Sequence, residues 1–173
     1  IVSGTCGDTA TWTFDTTTGV LTIGGSGKMA NYVNVGNVAP WRPYYRQITS
    51  IVIGDQITYI GNRAFKGLNY VTSVKFGKAV SYTGYEVFYG CTKLANVEMN
   101  EGLTTLGALA FFNCTKLTNI SIPSSVVNLQ NRAFKGSGLT SVIVPDTVKS
   151  LGYEVFMNCS SLEVVQYTKG ASM

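Results

Sequence analysis

Histidine is absent from this 173-residue sequence. That absence removes His-dependent nucleophilic triads, imidazole metal ligands and the usual general base near neutral pH. Charge is scarce too, at 13% Asp, Glu, Lys and Arg. The net +4 is scattered along the chain, without the basic cluster that an electrostatic footprint on nucleic acid requires, so no nucleic-acid partner is expected. No run approaches the roughly 18 to 20 apolar residues of a bilayer-spanning helix, and no transmembrane segment is expected. The chain opens on Ile1 and Val2 with neither an initiator Met nor a basic, apolar leader, which reads as a processed or excised segment.

What is present favours strands. Hydrophobic residues make up 45% of the chain, enough for one domain with a continuous core. Nineteen glycines and ten tyrosines, with abundant Thr, Val and Ser, suit strands joined by turns better than long helices.

Self-similarity is the strongest signal. A small-x-x-(Ala/Val)-Phe motif recurs at Gly61–Phe65, Gly84–Phe88, Gly107–Phe111, Gln130–Phe134 and Gly152–Phe156, with the Phe residues 23, 23, 23 and 22 apart. A residue missing near Gly138 accounts for the shorter step. Each Phe is followed by Leu68, Cys91, Cys114, Ser137 or Cys159, and then by Val71, Leu94, Leu117, Leu139 or Leu162. A period-two strand comes next, centred on Lys75, Glu98, Ser121, Ile143 or Gln166, with Ile51-Val52-Ile53 as an extra rung before the first motif. A unit of this length cannot bury its apolar side alone, whereas stacked units share a core, so the pattern predicts a repeat solenoid. Ile60, Ala64, Phe65, Val71, Val74, Phe76 and Val80 of the first unit are expected to point inward.

The combination of Ala-Phe, Cys-x-x-Leu and Val-x-Ile-Pro resembles the BspA-like bacterial leucine-rich repeats. It is clearest at Ala110-Phe111, Cys114-Thr115-Lys116-Leu117 and Ile120-Ser121-Ile122-Pro123, and covers about residues 48 to 167. Leu68 and Ser137 depart from it at the Cys position, and Gly77 and Asn100 where Pro is usual. The resemblance implies a strand-rich, right-handed superhelix of about 23-residue units with parallel strands and short helical or irregular turns. It also implies a secreted or cell-surface protein engaged in adhesion.

The expected organisation is an amino-terminal β-hairpin cap over residues 1–47, repeats over 48–167 and a tail over 168–173. Trp12 and Phe14 alternate with Thr, as do Leu21 and Ile23, around Asp15-Thr16-Thr17-Thr18-Gly19, which reads as the hairpin. Pro40-Trp41-Arg42-Pro43-Tyr44-Tyr45 reads as the seal between hairpin and first rung, with a binding site built from this aromatic cluster as the alternative. No equivalent closes the carboxyl end. Either more protein follows there or self-association covers it.

Chemistry is sought largely in vain. Cys91, Cys114 and Cys159 occupy one slot of different units, so a four-Cys zinc site fails on geometry. At about 4.8 Å per rung Cys91 and Cys114 come within disulfide range, while Cys114 and Cys159 lie about 10 Å apart. Stacked free thiols are the favoured reading. Glu86 and Glu154 share a slot three rungs apart, about 15 Å, beyond the roughly 5 to 9.5 Å of glycosidase acid pairs. Glu98 beside Lys75 reads as a cross-strand ion pair. Gly24-Gly25-Ser26-Gly27-Lys28 lacks Walker spacing. Neither catalysis nor a cofactor is expected.

Partner-binding candidates therefore lie between the core positions. One exposed column reads Val52, Lys75, Glu98, Ser121, Ile143, Gln166; its neighbour includes Asn96 and Asn119. A second surface carries Tyr85, Tyr89 and Tyr153, with Leu109 and Phe112 on the intervening unit. Both also fit ordinary solvated or half-buried packing. The expected function is a non-catalytic interaction or adhesion module with a protein or glycan ligand, outside the cell or on its surface. The alternative is a structural or carbohydrate-binding module of a larger cell-wall protein.

Overall fold

The computed structural model describes residues 1–33 and 35–168. Of the expected tail, Lys169 to Met173 lie outside the described residues. The amino-terminal segment has three antiparallel strands, β1 (Val2–Thr5), β2 (Ala10–Asp15) and β3 (Val20–Gly25). Trp12 pairs with Ile23 and Phe14 with Leu21, all four buried, as alternation with Thr requires. The turn is closed locally: the Gly19 amide donates to the Asp15 carbonyl at 2.9 Å, and the Thr17 amide to its carboxylate at 2.8 Å. Strand β1 has no alternation to betray it, since Val2-Ser3-Gly4-Thr5 is largely exposed.

After β3 the chain turns a corner through Gly25 and Gly27, at φ +70° and +77°, conformations that cost little only without a Cβ. It then enters β4 (Gly27–Lys28). From here each unit lends strands to two faces. One sheet continues from β3 in parallel through β5 (Ser50–Ile53), β7 (Ser73–Lys75) and β9 (Asn96–Glu98). The hairpin thus joins the solenoid by covering the open edge of its first rung. The other sheet runs from β4 through β6 (Ile57–Ile60), β8 (Tyr82–Thr83), β10 (Thr105–Leu106), β11 (Asn128–Leu129) and β13 (Ser150–Leu151), all parallel. A separate parallel pair, β12 (Ser141–Val144) and β14 (Val164–Tyr167), completes the fold.

Short helices do not form in the repeat turns. Among the described residues the helical structure is a single 3-10 turn, Arg42–Tyr44. The reason is visible in the backbone. Arg63, Glu86, Leu109, Arg132 and Glu154 adopt φ near +57°, and Gly67, Gly90, Asn113, Gly136 and Asn158 follow four residues later, also at positive φ. These kinks turn amide groups along the solenoid axis. Phe65, Phe88, Phe111 and Phe134 then donate to carbonyls of the next unit, at Val87, Ala110, Ala133 and Val155, over 2.7 to 3.0 Å. Stacking therefore satisfies backbone groups that a helix would pair internally.

The inward residues expected of the first unit, from Ile60 to Val80, are all buried. Phe65, Phe88, Phe111, Phe134 and Phe156 form a column of near-parallel rings 5.2 to 5.8 Å apart. Trp41 ends the column, stacked on Phe65 at 5.4 Å, and its indole donates to the Ala64 carbonyl at 2.9 Å.

One rung departs from the pattern. Ile120-Ser121-Ile122 was expected as a strand and is not one, and among the described residues no backbone hydrogen bond joins 95–99 to 118–122. The first sheet stops at β9 and resumes only as β12. In the turn leading into β12, immediately beside the break, the unit is one residue short at Gly138.

Candidate functional site

The broken rung opens a cleft of about 620 Å³ between β9 and β12. Its lining includes Asn96, Glu98, Asn119, Ser121 and Ile143, five of the residues singled out from the sequence. Val97 and Ile120, whose counterparts Val74 and Val142 are buried, are half-exposed here. The result is an apolar floor with a polar rim. Ile143 stands 52% exposed at one wall. Asn119 spends its amide on the neighbouring Thr118 hydroxyl at 3.2 Å.

The column expected on this face is therefore real in two pieces. Val52, Lys75 and Glu98 are register partners, as are Ile143 and Gln166, but the steps through Ser121 are not paired. Lys75 and Glu98 approach to 3.4 Å with both side chains well exposed, an ion pair worth about 0.2 to 1 kcal/mol. Gln166 is exposed on β14, beyond the cleft.

On the turn surface the tyrosines belong to two copies of one module. In the first, Arg63 and Lys66 both donate to Oε2 of Glu86 at 2.7 Å, and their charges lie over the rings of Tyr85 and Tyr89. In the second, Arg132 and Lys135 reach Oε2 of Glu154 at 2.7 and 2.8 Å, with Arg132 over Tyr153. Asn62 and Asn131 accept the amides of Tyr85 and Tyr153, fixing both modules alike. Tyr89 also stacks on Phe112 at 4.5 Å. The recurrence of Asn-Arg-Ala-Phe-Lys-Gly followed by Gly-Tyr-Glu-Val-Phe is the signal that would have revealed these pairs. Glu86 and Glu154 are thus held as carboxylates by cations rather than poised as acids.

Burial raises the Glu86 carboxyl, but Lys66 and Arg63 together outweigh it and its pKa falls below the ordinary value. Hydrogen bonds from Arg132 and then Lys135 bring Glu154 down to about 2. A carboxylate depressed in the folded state stabilises above its unfolded pKa and loses that contribution as pH falls through the folded one. The contribution from Glu154 is therefore present above about pH 4.5 and fades toward pH 2. In a carbon-13 titration of the glutamate carboxyls, Glu154 is expected to titrate near 2, and a midpoint near 4.5 would contradict the pairing. E154Q is expected to flatten the dependence of Tm on pH across that window.

All four cysteines are free and buried. Cys91, Cys114 and Cys159 donate to the Phe65, Phe88 and Phe134 carbonyls of the preceding unit at 3.1 to 3.3 Å. Burial pushes the Cys91 and Cys6 thiols up to about 12, and Cys114 well above its ordinary value. With all four thiols buried, and Cys6, Cys91 and Cys114 held largely as thiols, native protein is expected to leave all four unreacted with a thiol-disulfide dye, and guanidinium to release all four. Release of only two would reveal a disulfide.

Among the described residues no group of three His, Cys, Asp or Glu could hold a metal ion, and no helix is long and apolar enough to cross a membrane. The class these features define is a strand-rich parallel solenoid of short tandem repeats. A family model described as BspA type leucine rich repeat region matches residues 44–163 in six copies, and the chain belongs to that family.

Solved structures agree. A T. pallidum leucine-rich-repeat protein is 25% identical, matching 93% of this chain and 70% of its own length with a TM-score of 0.66. A leucine-rich-repeat protein from Bacteroides ovatus is also 25% identical, over 92% of this chain and 40% of its own, at 0.67. A protein from Faecalibacterium prausnitzii described as a leucine rich cell surface protein is 21% identical, over 99% of this chain and 56% of its own, at 0.55. The chain thus spans only part of each. Comparison with curated proteins gives no match.

Proposed function

We propose that this chain is a bacterial protein-interaction module, secreted or displayed at the cell surface, that binds a protein partner on the broken face of its first sheet. The cleft between β9 and β12 carries the reading. It half-exposes Val97 and Ile120, whose counterparts Val74 and Val142 on the flanking rungs are buried, and rims them with polar groups able to set specificity. A volume of about 620 Å³ suits a few side chains of a partner rather than a whole domain.

A protein is favoured over a glycan because the tyrosines of the turn surface do not offer two free ring faces. Tyr85, Tyr89, Tyr153 and Tyr70 each have a ring face occupied by Arg63, Lys66, Arg132 or Lys93. Surface display and adhesion draw on the family and on the description of the Faecalibacterium neighbour as a cell surface protein. Localisation is tested by fractionating the source bacterium.

Binding is tested by screening the purified chain against immobilised extracellular-matrix proteins and a glycan array, alongside I143R. Because Ile143 is exposed, this substitution leaves the fold intact while placing a charge in the cleft. Saturable binding to a protein, weakened at least tenfold by I143R, is the expected result. Saturable glycan binding with no protein ligand would favour the carbohydrate-binding alternative.

A further inference from the structure

A second cavity, of about 360 Å³, lies away from the sheet face, where the cap meets the first two repeat turns. One wall is Tyr32 and the segment Val38 to Arg42; the other is formed by the turns bearing Arg63, Lys66 and Tyr89. The walls are fastened together. The Trp41 indole donates to the Ala64 carbonyl, and Arg42 Nη1 donates to the Lys66 carbonyl at 3.2 Å. Three cations, Arg42, Arg63 and Lys66, line the cavity, no carboxylate among the described residues does, and the two that are paired share one carboxylate oxygen of Glu86. The second copy of the module, at Arg132, Lys135 and Glu154, stacks on an ordinary unit through Phe111 instead of on a cap tryptophan. Only the first copy is backed by the cap.

We infer that this cavity is a second binding site, which takes an apolar side chain of a partner polypeptide with an adjacent carboxylate on the cationic rim. The floor, made by Ala39, Trp41 and Leu68, is apolar and buried. The excess of cations calls for an anion, and Arg42 is exposed, with only its Nη1 committed to backbone carbonyls. An anionic sugar fits less well, because the aromatic faces are taken. Trp41 is stacked on Phe65 and flanked edge-on by Trp12 and Tyr32, while Tyr89 lies between Phe112 and Lys66. The site does not depend on the cleft.

The probes are the blocked pentapeptides Ac-Gly-Leu-Asp-Asp-Gly-NH2 and Ac-Gly-Leu-Asn-Asn-Gly-NH2, N-acetylneuraminic acid, and sulfate. Each is titrated into nitrogen-15-labelled protein at low salt. The acidic peptide is expected to shift the Trp41 indole and the Gly67 and Leu68 amides saturably, with affinity falling as salt rises. The amide peptide and sulfate are expected to bind at least fivefold more weakly. R42Q, which also loses the hydrogen bond to the Lys66 carbonyl and with it a little Tm, should weaken the acidic peptide at least fivefold and the amide peptide no more than twofold, and K135A should leave both unchanged. Equal binding of the two peptides, saturation by the sugar alone, no saturable peptide binding, or equal loss in K135A would each overturn the inference. I143R is expected to bind the acidic peptide normally, which separates this site from the cleft.

Discussion

Replacing Phe111 with alanine is expected to destabilise the protein by about 3 to 5 kcal/mol, among the largest effects of any core truncation in this fold. Phe111 is fully buried at the middle of the ring column, 5.2 Å from Phe88 and 5.5 Å from Phe134, with interplanar angles of 8° and 5°. The vacated volume would be walled by rings on both sides, each tied to its neighbours by turn-to-turn hydrogen bonds. Such a cavity cannot collapse, so the loss includes cavity and stacking contributions as well as transfer. Phe156 provides the comparison, since it is only half-buried and has one stacking neighbour, Phe134. F156A should cost about half as much or less.

The location of the damage is also testable. Both tryptophans, Trp12 and Trp41, lie in or against the cap, so their fluorescence reports that end of the solenoid while circular dichroism reports the whole. Stability in a repeat array is close to a sum over units and nearest-neighbour interfaces. F111A should therefore separate the two signals in urea, with dichroism lost first and tryptophan fluorescence later, where the parent melts in one step. Coincident transitions, or a cost no greater than that of F156A, would show that the ring column does not transmit cooperativity.

The sequence made the repeat visible for a physical reason. Phe65, Phe88, Phe111 and Phe134 are buried at the same place in successive turns, as are Val71, Leu94, Leu117 and Leu139, and a fixed spacing of apolar residues is what one-dimensional pattern reading detects. The second sheet was less legible because strands such as Tyr82–Thr83 and Thr105–Leu106 span two residues, too few to display a period. The absence of helices was hidden for a different reason. Positive φ at Arg63, Glu86 or Leu109 lies outside the usual residue preferences and is sustained by hydrogen bonds to the next unit, which local sequence does not encode.

Candidate binding residues show the same division. Glu98, Ser121 and Ile143 follow from period two alone. The cleft among them does not, because Ile120-Ser121-Ile122 fits a strand template as well as Val142-Ile143-Val144 does. What differs is the relation between rungs, which changes beside the shortened turn at Gly138. The cavity beside the cap depends on long-range fastening of Trp41 and Arg42 to the first repeat turn, 23 and 24 residues away, and no local motif announces it.

Close approach of backbones leads to the second large effect, in G107A. A methyl group at Gly107 would fall onto the Gly84 carbonyl and against the Thr83 carbonyl oxygen, backbone atoms of the rung below that have no freedom to rotate away. The two rungs would have to part. Separation would disturb the hydrogen bond from the Gly107 amide to the buried Thr83 hydroxyl, 2.9 Å long, and the rings of Phe88 and Phe111 above it. A loss of about 3 kcal/mol or more is expected, at or beyond the upper end of ordinary overpacking. G90A is the contrasting case. Gly90 has φ +70° but open space around it, so alanine there meets only the left-handed backbone penalty, about 1 kcal/mol.

Gln130 sharpens the comparison, because it fills the slot equivalent to Gly107 one unit later. Its amide bonds to the Leu106 carbonyl at 3.0 Å, and its side-chain oxygen accepts from the Ala108 amide at 3.0 Å. The slot is therefore not closed to a side chain in principle. At Gly107 it is closed by the aim of the Gly84 carbonyl. Urea denaturation of G107A and G90A side by side decides the matter: a loss in G107A no greater than that in G90A would mean that the rungs can part without cost.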